Sequence, residues 1–352
     1  MASTVDHRDP RRPGGQPVEA HLFLLAGQHP GASAAQALAD AHTYGLAAEA
    51  AGYAGVWMAE HHFIRYGACP SAVAFAGHLL GATRRITVGT AACILSNRHP
   101  VALAEEAALL DELSGGRFRL GIARGGPWVD LEVFGTGLAR YAEGFADAVD
   151  LLASWLSGAP VVAGNAAFPF RPVHVVPRPR RPVPVWIAAT SAPTVDLAAR
   201  HGFPLLLGMH ATLAEKAALL ERYAEVAAAH GHDPGAVDHA SAHLAYLADD
   251  DATAAQTVRP GLSGLLAGTD DYVRLDGSTG SAHRRDRYVA HLLDLHPVGG
   301  VDRCRDRIRA AAELPGVRHL LLMVEAAGGR ERTVANIHRF ARDVLDLTPT
   351  PT

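Results

Sequence analysis

Cysteine is nearly missing: Cys69, Cys93 and Cys304 are the only three in 352 residues. They are odd in number and far apart, which excludes a disulfide framework and a paired-thiolate metal site and fits a reducing compartment. Aromatic residues are scarce at 6%, and no stretch of about 18 apolar residues occurs, so no membrane-spanning helix is expected. The first residues lack the apolar centre of a secretory leader, and a cytoplasmic location is expected. An excess of one charge sign is also lacking. The net charge of -4 gives no global attraction to nucleic acid or to a membrane surface. The chain has no GxGxxG, no GxxxxGK[ST] and no GxSxG. Neither a dinucleotide site, a P-loop nor a nucleophile elbow is indicated, so any reducing equivalents would arrive on a cofactor reduced elsewhere.

What is present is a repeat of short apolar runs and longer helical patterns. Strands are predicted at Glu19–Leu25, Gly55–Ala59, Ile86–Ala92, Phe118–Ile122, Val185–Ala188, Leu205–Leu207, His239–Leu247 and His319–Met323. Helices are predicted at Ala34–Ala51, Ser71–Ala82, Val101–Leu113, Tyr141–Leu156, Ala192–His201, Leu213–His230, Val301–Ala311 and Glu331–Val344. Eight such units without a break in composition predict an α/β fold, a (β/α)8 TIM barrel, as one domain over 18–346. Insertions are expected after strands four and seven and before strand five. The Pro- and Arg-rich stretch 157–184 reads as an irregular or hairpin excursion. Residues 260–298 show little periodicity and read as a long loop, a candidate mobile lid over the barrel mouth. Residues 1–17 and 347–352 are expected to be disordered.

The candidate chemistry sits at strand ends. Gly55-Val-Trp-Met-Ala runs into Glu60, His61, His62 and Phe63, and strand ends at the carboxyl side of a barrel carry its chemistry. Histidine suits proton transfer near neutral pH. Neighbouring strand residues face opposite ways, so His61 and His62 do not chelate one ion, and no metal site is expected. One histidine is expected at the mouth, the other packed under helices. Gly89, Thr90, Ala91 and Ala92 are small enough to let a flat ligand approach the backbone, though inner barrel layers also use small residues. Gly115 and Gly116 read as a helix end. Arg124, followed by Gly125 and Gly126, suits a phosphate or an anionic ring edge, or is an ordinary surface cation. Thr190-Ser191-Ala192-Pro193-Thr194 opens a helix, with Ser191 as its cap; hydroxyls and free N–H groups there form an anion site.

Several runs together resemble the bacterial luciferase-like flavin monooxygenases, and most of all their α subunits. They are Glu60-His61-His62-Phe63, His78-Leu-Leu-Gly-Ala-Thr83, Val88-Gly-Thr-Ala-Ala92, His99-Pro-Val101, Leu110 through Gly121, Phe134-Gly-Thr136 and Pro297-Val-Gly299. The resemblance spans about residues 19–345. It implies reduced FMN, supplied by a separate flavin reductase. It also implies attack of a flavin C4a-hydroperoxide, formed with O₂, on a small-molecule organic substrate. His61 matches the catalytic histidine and His62 its neighbour, with Glu60 in support. Ala91-Ala92 matches a cis-peptide pair that packs on the flavin ring. Arg124, Ser191 and Thr194, with Thr190 beside them, fall on phosphate-binding positions, and Arg140 matches a second phosphate ligand. A homodimer through helices two and three is also implied. Two departures stand out: Ala123 replaces a reactive cysteine, and Met209 a tryptophan. Both argue against a long-chain aldehyde substrate and efficient light emission. His283 corresponds to a mobile-loop histidine. The Ala-, Arg- and Pro-rich composition is associated with secondary-metabolite tailoring. Two alternatives stay open: an F420-dependent hydride-transfer enzyme of the same fold, and a non-catalytic flavin-binding partner subunit.

Overall fold

The computed structural model describes residues 18–278 and 285–349. Eight apolar segments pair side by side, all parallel: β1 (Glu19–Leu24), β2 (Gly55–Met58), β3 (Thr87–Thr90), β4 (Phe118–Ala123), β5 (Val185–Ala188), β6 (Leu205–Leu207), β7 (His239–Leu244) and β8 (Val317–Met323). β1 pairs with β2 on one side and with β8 on the other, where Glu19 faces His319 and Phe23 faces Met323. Pairing of Val88 with Phe118 and Gly89 with Arg119 joins β3 to β4 and completes a closed TIM barrel.

Side-chain alternation splits the core in two. Leu22, Leu24, Val56, Met58, Leu120, Ile122, Leu320 and Leu322 point outward and pack under the helices. Trp57, Trp186, Leu206, Ala240, Ala242, Leu244, Leu321 and Met323 point inward and fill the barrel. Local signals set the helices. α1 (Ala34–Ala51) starts at Ser33, whose side chain accepts from the Gln36 amide, and stops at Gly52 with φ 90°. α2 spans Ala72–Ala82 and α3 Pro100–Leu113. Past α3, Gly115 and Gly116 both take positive φ, and their amides return to Glu112 and Asp111 carbonyls, as the sequence predicts.

Insertions fall where expected. After β4 come two short helices, Asp130–Val133 and Gly137–Ala142, then α4 (Gly144–Leu156). Before β5, Val161–Val162 pairs antiparallel with Val173–His174, a hairpin. α5 (Ala192–Arg200) follows β5, and α6 (Leu213–Ala229) follows β6 behind a Thr212–Glu215 capping box.

Three boundaries differ from the sequence reading. β3 ends at Thr90, the Ala91–Ala92 peptide is cis, and Cys93–Ile94 then pairs with Ile122 and Ala123. The seventh strand breaks after Leu244, and Tyr246–Leu247 pairs with Val298–Gly299 instead. The predicted loop over 260–298 is largely helical: α7 spans Asp251–Ala267 and α8 Arg285–Leu295. Pro260 and Gly261, poor helix formers, are both accommodated. Pro260 sits on the exposed side of α7, where water can serve the carbonyl its missing N–H leaves free. A Cβ on Gly261 would stand 2.1 Å from the Ala326 carbonyl oxygen, so glycine lets α7 press onto the barrel. Within that stretch His283 lies outside the described residues, as do 1–17 and 350–352. Leu347, predicted disordered, is held by its amide on the Ala341 carbonyl at 2.9 Å. α9 (Val301–Ala312) and α10 (Arg330–Asp343) complete the ring.

Candidate active site

Inward positions at the carboxyl ends of the strands carry little volume: Ala59, Ala91, Ala92, Ala123, Ala188, Gly208 and Ala242. One inward position lower, the indoles of Trp57 and Trp186 meet edge to face at 5.1 Å and fill the barrel. A cavity of about 540 Å³ therefore opens above them at the mouth. That is within the usual size of a cofactor or substrate pocket.

Eight of the ten predicted site residues line this cavity: Glu60, His61, Ala91, Ala92, Arg124, Thr190, Ser191 and Thr194. His61 presents its ring to the cavity and packs against Tyr66 at 5.1 Å, nearly perpendicular. Its Nδ1 is buried without a hydrogen-bond partner. The ring sits over Gly67, where a Cβ would come within 2.5 Å of Nδ1. Burial, reinforced by His62 and opposed by Glu60, pulls its pKa down to about 4. At neutral pH His61 is an uncharged imidazole that can take or give a proton.

Glu60 braces the backbone beside the cavity. Its carboxylate accepts from the Ala72 amide at 3.1 Å, at the start of α2, and from the Ile94 amide at 3.0 Å. Burial opposes its charge, but His62, the two amides and Arg98 hold its pKa below the ordinary value. His62 turns away from the cavity, as the alternation argument requires of one of the pair. Its Nε2 lies 3.7 Å from Glu60, and its ring meets Phe134 edge-on at 5.0 Å.

Arg124 leaves the end of β4 under the rings of Tyr141 and Phe145, at 5.5 and 5.8 Å. Its Nη2 donates to Thr194 Oγ1 at 3.1 Å, and Ser191 Oγ lies 3.2 Å from the same oxygen. No carboxylate pairs with Arg124 among the described residues. Ser191 occupies the cap position of α5, but its side chain makes no capping bond, contrary to the sequence reading. A free cation, two hydroxyls and the amides of a helix N-terminus meet at one corner, the donor set an anion requires. Arg140 is not part of it. Its guanidinium lies over Phe168 at 4.8 Å, and the neighbouring Tyr141 lines the cavity instead.

Two glycine-strand residues also play other parts than predicted. Gly89 makes room for the Trp57 indole, which a Cβ would meet at 2.6 Å. The Thr90 hydroxyl is buried on the Gly121 backbone, donating at 2.8 Å and accepting at 2.9 Å. Only Ala91 and Ala92 of that run reach the cavity.

This chain belongs to the luciferase-like monooxygenases. The family's profile matches residues 18–319. The alkanal monooxygenase alpha chain of Photorhabdus luminescens is 31% identical, over 92% of this chain and 95% of that one. The luciferase-like barrel recurs in solved structures. Monooxygenase RslO1 from Streptomyces bottropensis superposes with a TM-score of 0.81 at 24% identity, over 93% of this chain and 99% of that one. The oxygenating constituent of 3,6-diketocamphane monooxygenase from Pseudomonas putida, in complex with FMN, gives 0.71 at 19% identity, over 96% and 100%. An F420-dependent secondary alcohol dehydrogenase gives 0.73 at 16% identity, over 95% and 100%. These likenesses establish the fold.

Sequence reasoning missed several lining residues. Tyr66, Tyr141 and His210 line the cavity. His210 follows β6 by three residues, so the strand-end rule could have found it; its Nδ1 meets the Tyr288 hydroxyl from α8. The two insertions also join beside the mouth. Trp128 stacks on Tyr272 at 4.2 Å, and the Val129 and Leu275 amides donate to the Val273 and Pro127 carbonyls.

Proposed function

We propose that this chain is a monooxygenase that binds reduced FMN at the barrel mouth and uses O₂ to oxygenate a small or polycyclic organic substrate. The observation that carries the reading is the unpaired Arg124 beside Thr194 and Ser191 at the start of α5, next to an apolar cavity. Those groups would hold the phosphate, with Thr190 beside them. Ala91, Ala92 and Ala123 would offer the ring a flat, unbranched wall. Bound there, reduced flavin supplies the electrons that activate O₂.

The chain's own residues do the rest. The apolar walls keep water from the reacting centre. His61, uncharged and facing the cavity, moves the proton that oxygen transfer requires. Glu60 fixes the strand end that carries His61. Ala123 and Met209, in place of the expected cysteine and tryptophan, reshape the pocket away from a long-chain aldehyde. With no dinucleotide motif in the sequence, a separate flavin reductase delivers the cofactor. Assembly is as a homodimer through α2 and α3, in the cytoplasm, and the product belongs to secondary metabolism.

Anaerobic titration tests the cofactor. Tighter binding of reduced FMN than of reduced F420, followed by an absorbance phase on mixing with O₂ that free FMN lacks, supports the proposal. Preferential binding of F420, inert to O₂, would replace it with hydride transfer. No affinity for either would leave a partner subunit.

A further inference from the structure

Far below the mouth, three more titratable side chains converge. Glu19 and His21 stand two apart on β1, so both point into the barrel, and His319 on β8 is the register partner of Glu19. His21 Nε2 lies 3.0 Å from His319 Nδ1. Glu19 Oε2 lies 3.5 Å from the first and 3.4 Å from the second. The three atoms form a nearly equilateral triangle. Donors held at about 2.1 Å by a four-coordinate zinc ion stand about 3.4 Å apart, so the triangle already has the edge length of a metal site.

The donor set also fits. Two imidazoles and one carboxylate are ligands for divalent transition metals and leave a position for water. His21 is fully buried and His319 mostly so, while the Glu19 side chain is 53% exposed and gives the ion an entry path. Nδ1 of His21 is buried and unpartnered, so the ring's polar contacts are those at Nε2. The cluster is separate from the mouth: His21 packs on Trp57 at 6.3 Å and His319 on Trp186 at 5.7 Å, and the two indoles stand between it and the cavity.

We propose that Glu19, His21 and His319 bind one divalent transition-metal ion of the zinc type, which clasps the first barrel strand to the last. Nothing in the linear sequence announces it, because His21 and His319 are 298 residues apart. The ion takes no part in oxygenation; it ties the seam where the chain closes on itself.

Titration of the chelator-treated, full-length protein with Zn²⁺ alone tests this, by calorimetry and by thermal melting. The expected result is one tight site per chain, at micromolar affinity or better, and a melting temperature several degrees higher with the metal. Glu19→Gln and His319→Gln are each expected to weaken that site at least tenfold and to abolish the thermal shift. Glu19→Gln, at a half-exposed and nearly isosteric position, is the variant that keeps the fold while removing the charge. Co²⁺ in the wild-type site is expected to give the intense visible absorption of a four-coordinate ion. Wild-type protein without a tight Zn²⁺ site, or variants that bind Zn²⁺ as tightly as wild type through other histidines, would overturn the proposal.

Discussion

Arg124 Nη2 donates to Thr194 Oγ1 at 3.1 Å, joining the end of one barrel strand to the first turn of the helix after the next. If this corner holds a phosphate, Arg124→Ala removes one charge-assisted interaction, worth about 1.5–3 kcal/mol. Affinity for reduced FMN is then expected to fall about ten- to a hundredfold, measured by anaerobic fluorescence titration. Arg124→Lys is expected to recover only part, since an ammonium cannot reproduce the planar fork. Unchanged affinity in the alanine variant would place the phosphate elsewhere.

His61→Ala is expected to leave reduced-FMN affinity within a few-fold and to cut oxygenation by about 10² or more, the loss typical of a missing acid or base. Because burial pulls its pKa to about 4, His61 stays unprotonated from pH 8 down to about 5. Its contribution to turnover should therefore be flat over that range and fade only toward pH 4. A His61-dependent step centred near pH 6.5 in the rate profile would contradict this environment.

Gly67→Ala tests the placement of that ring. A methyl group 2.5 Å from Nδ1 forces the imidazole or the loop to move. Turnover is expected to drop at least tenfold while flavin affinity holds. Equal loss of both would show a general collapse of the mouth.

Acid sensitivity follows from other buried histidines. Burial lowers the pKa of His239 to about 3, and its Nδ1 accepts the Leu205 amide at 2.9 Å, which protonation would break. His296 is likewise pulled to about 3, by burial first and then by Lys216. In the unfolded chain both would titrate near 6.5. The unfolded state then binds more protons, so stability is full above about pH 6.5 and is lost as pH falls toward 3. Each group contributes up to about 1.4 kcal/mol per pH unit in that window. Urea midpoints at pH 7.5, 5.5 and 4.5 should fall in step, and more gently in His239→Gln.

Trp128→Ala should loosen the joint between the two insertions, where the indole stacks on Tyr272. Faster limited proteolysis near 125–139, with an unchanged melting temperature for the barrel, is the expected pattern.

The barrel was legible because eight short apolar runs alternate with longer helical patterns without a break in composition. The candidate site was legible where chemistry falls at a strand end: Glu60, His61 and Arg124. Side-chain direction was harder to read. His62 and Arg140 look in sequence like the cavity-lining His61 and Arg124 but turn to Phe134 and Phe168. Gly89 looked like room for a ligand and is room for Trp57. The end of α7 was hidden because 260–298 shows little periodicity, and only the docked Ala326 carbonyl explains why a glycine belongs at Gly261. Tyr66 and the Glu19–His319 pairing depend on long-range closure that no local pattern encodes.

The edge-to-face indoles of Trp57 and Trp186 act as a bulkhead across the barrel. Substrate scope can evolve by reshaping rim loops above it, since a deeper pocket would require shaving a core tryptophan. The Glu19–His21–His319 cluster lies on the far side of the indoles, shielded from that pressure.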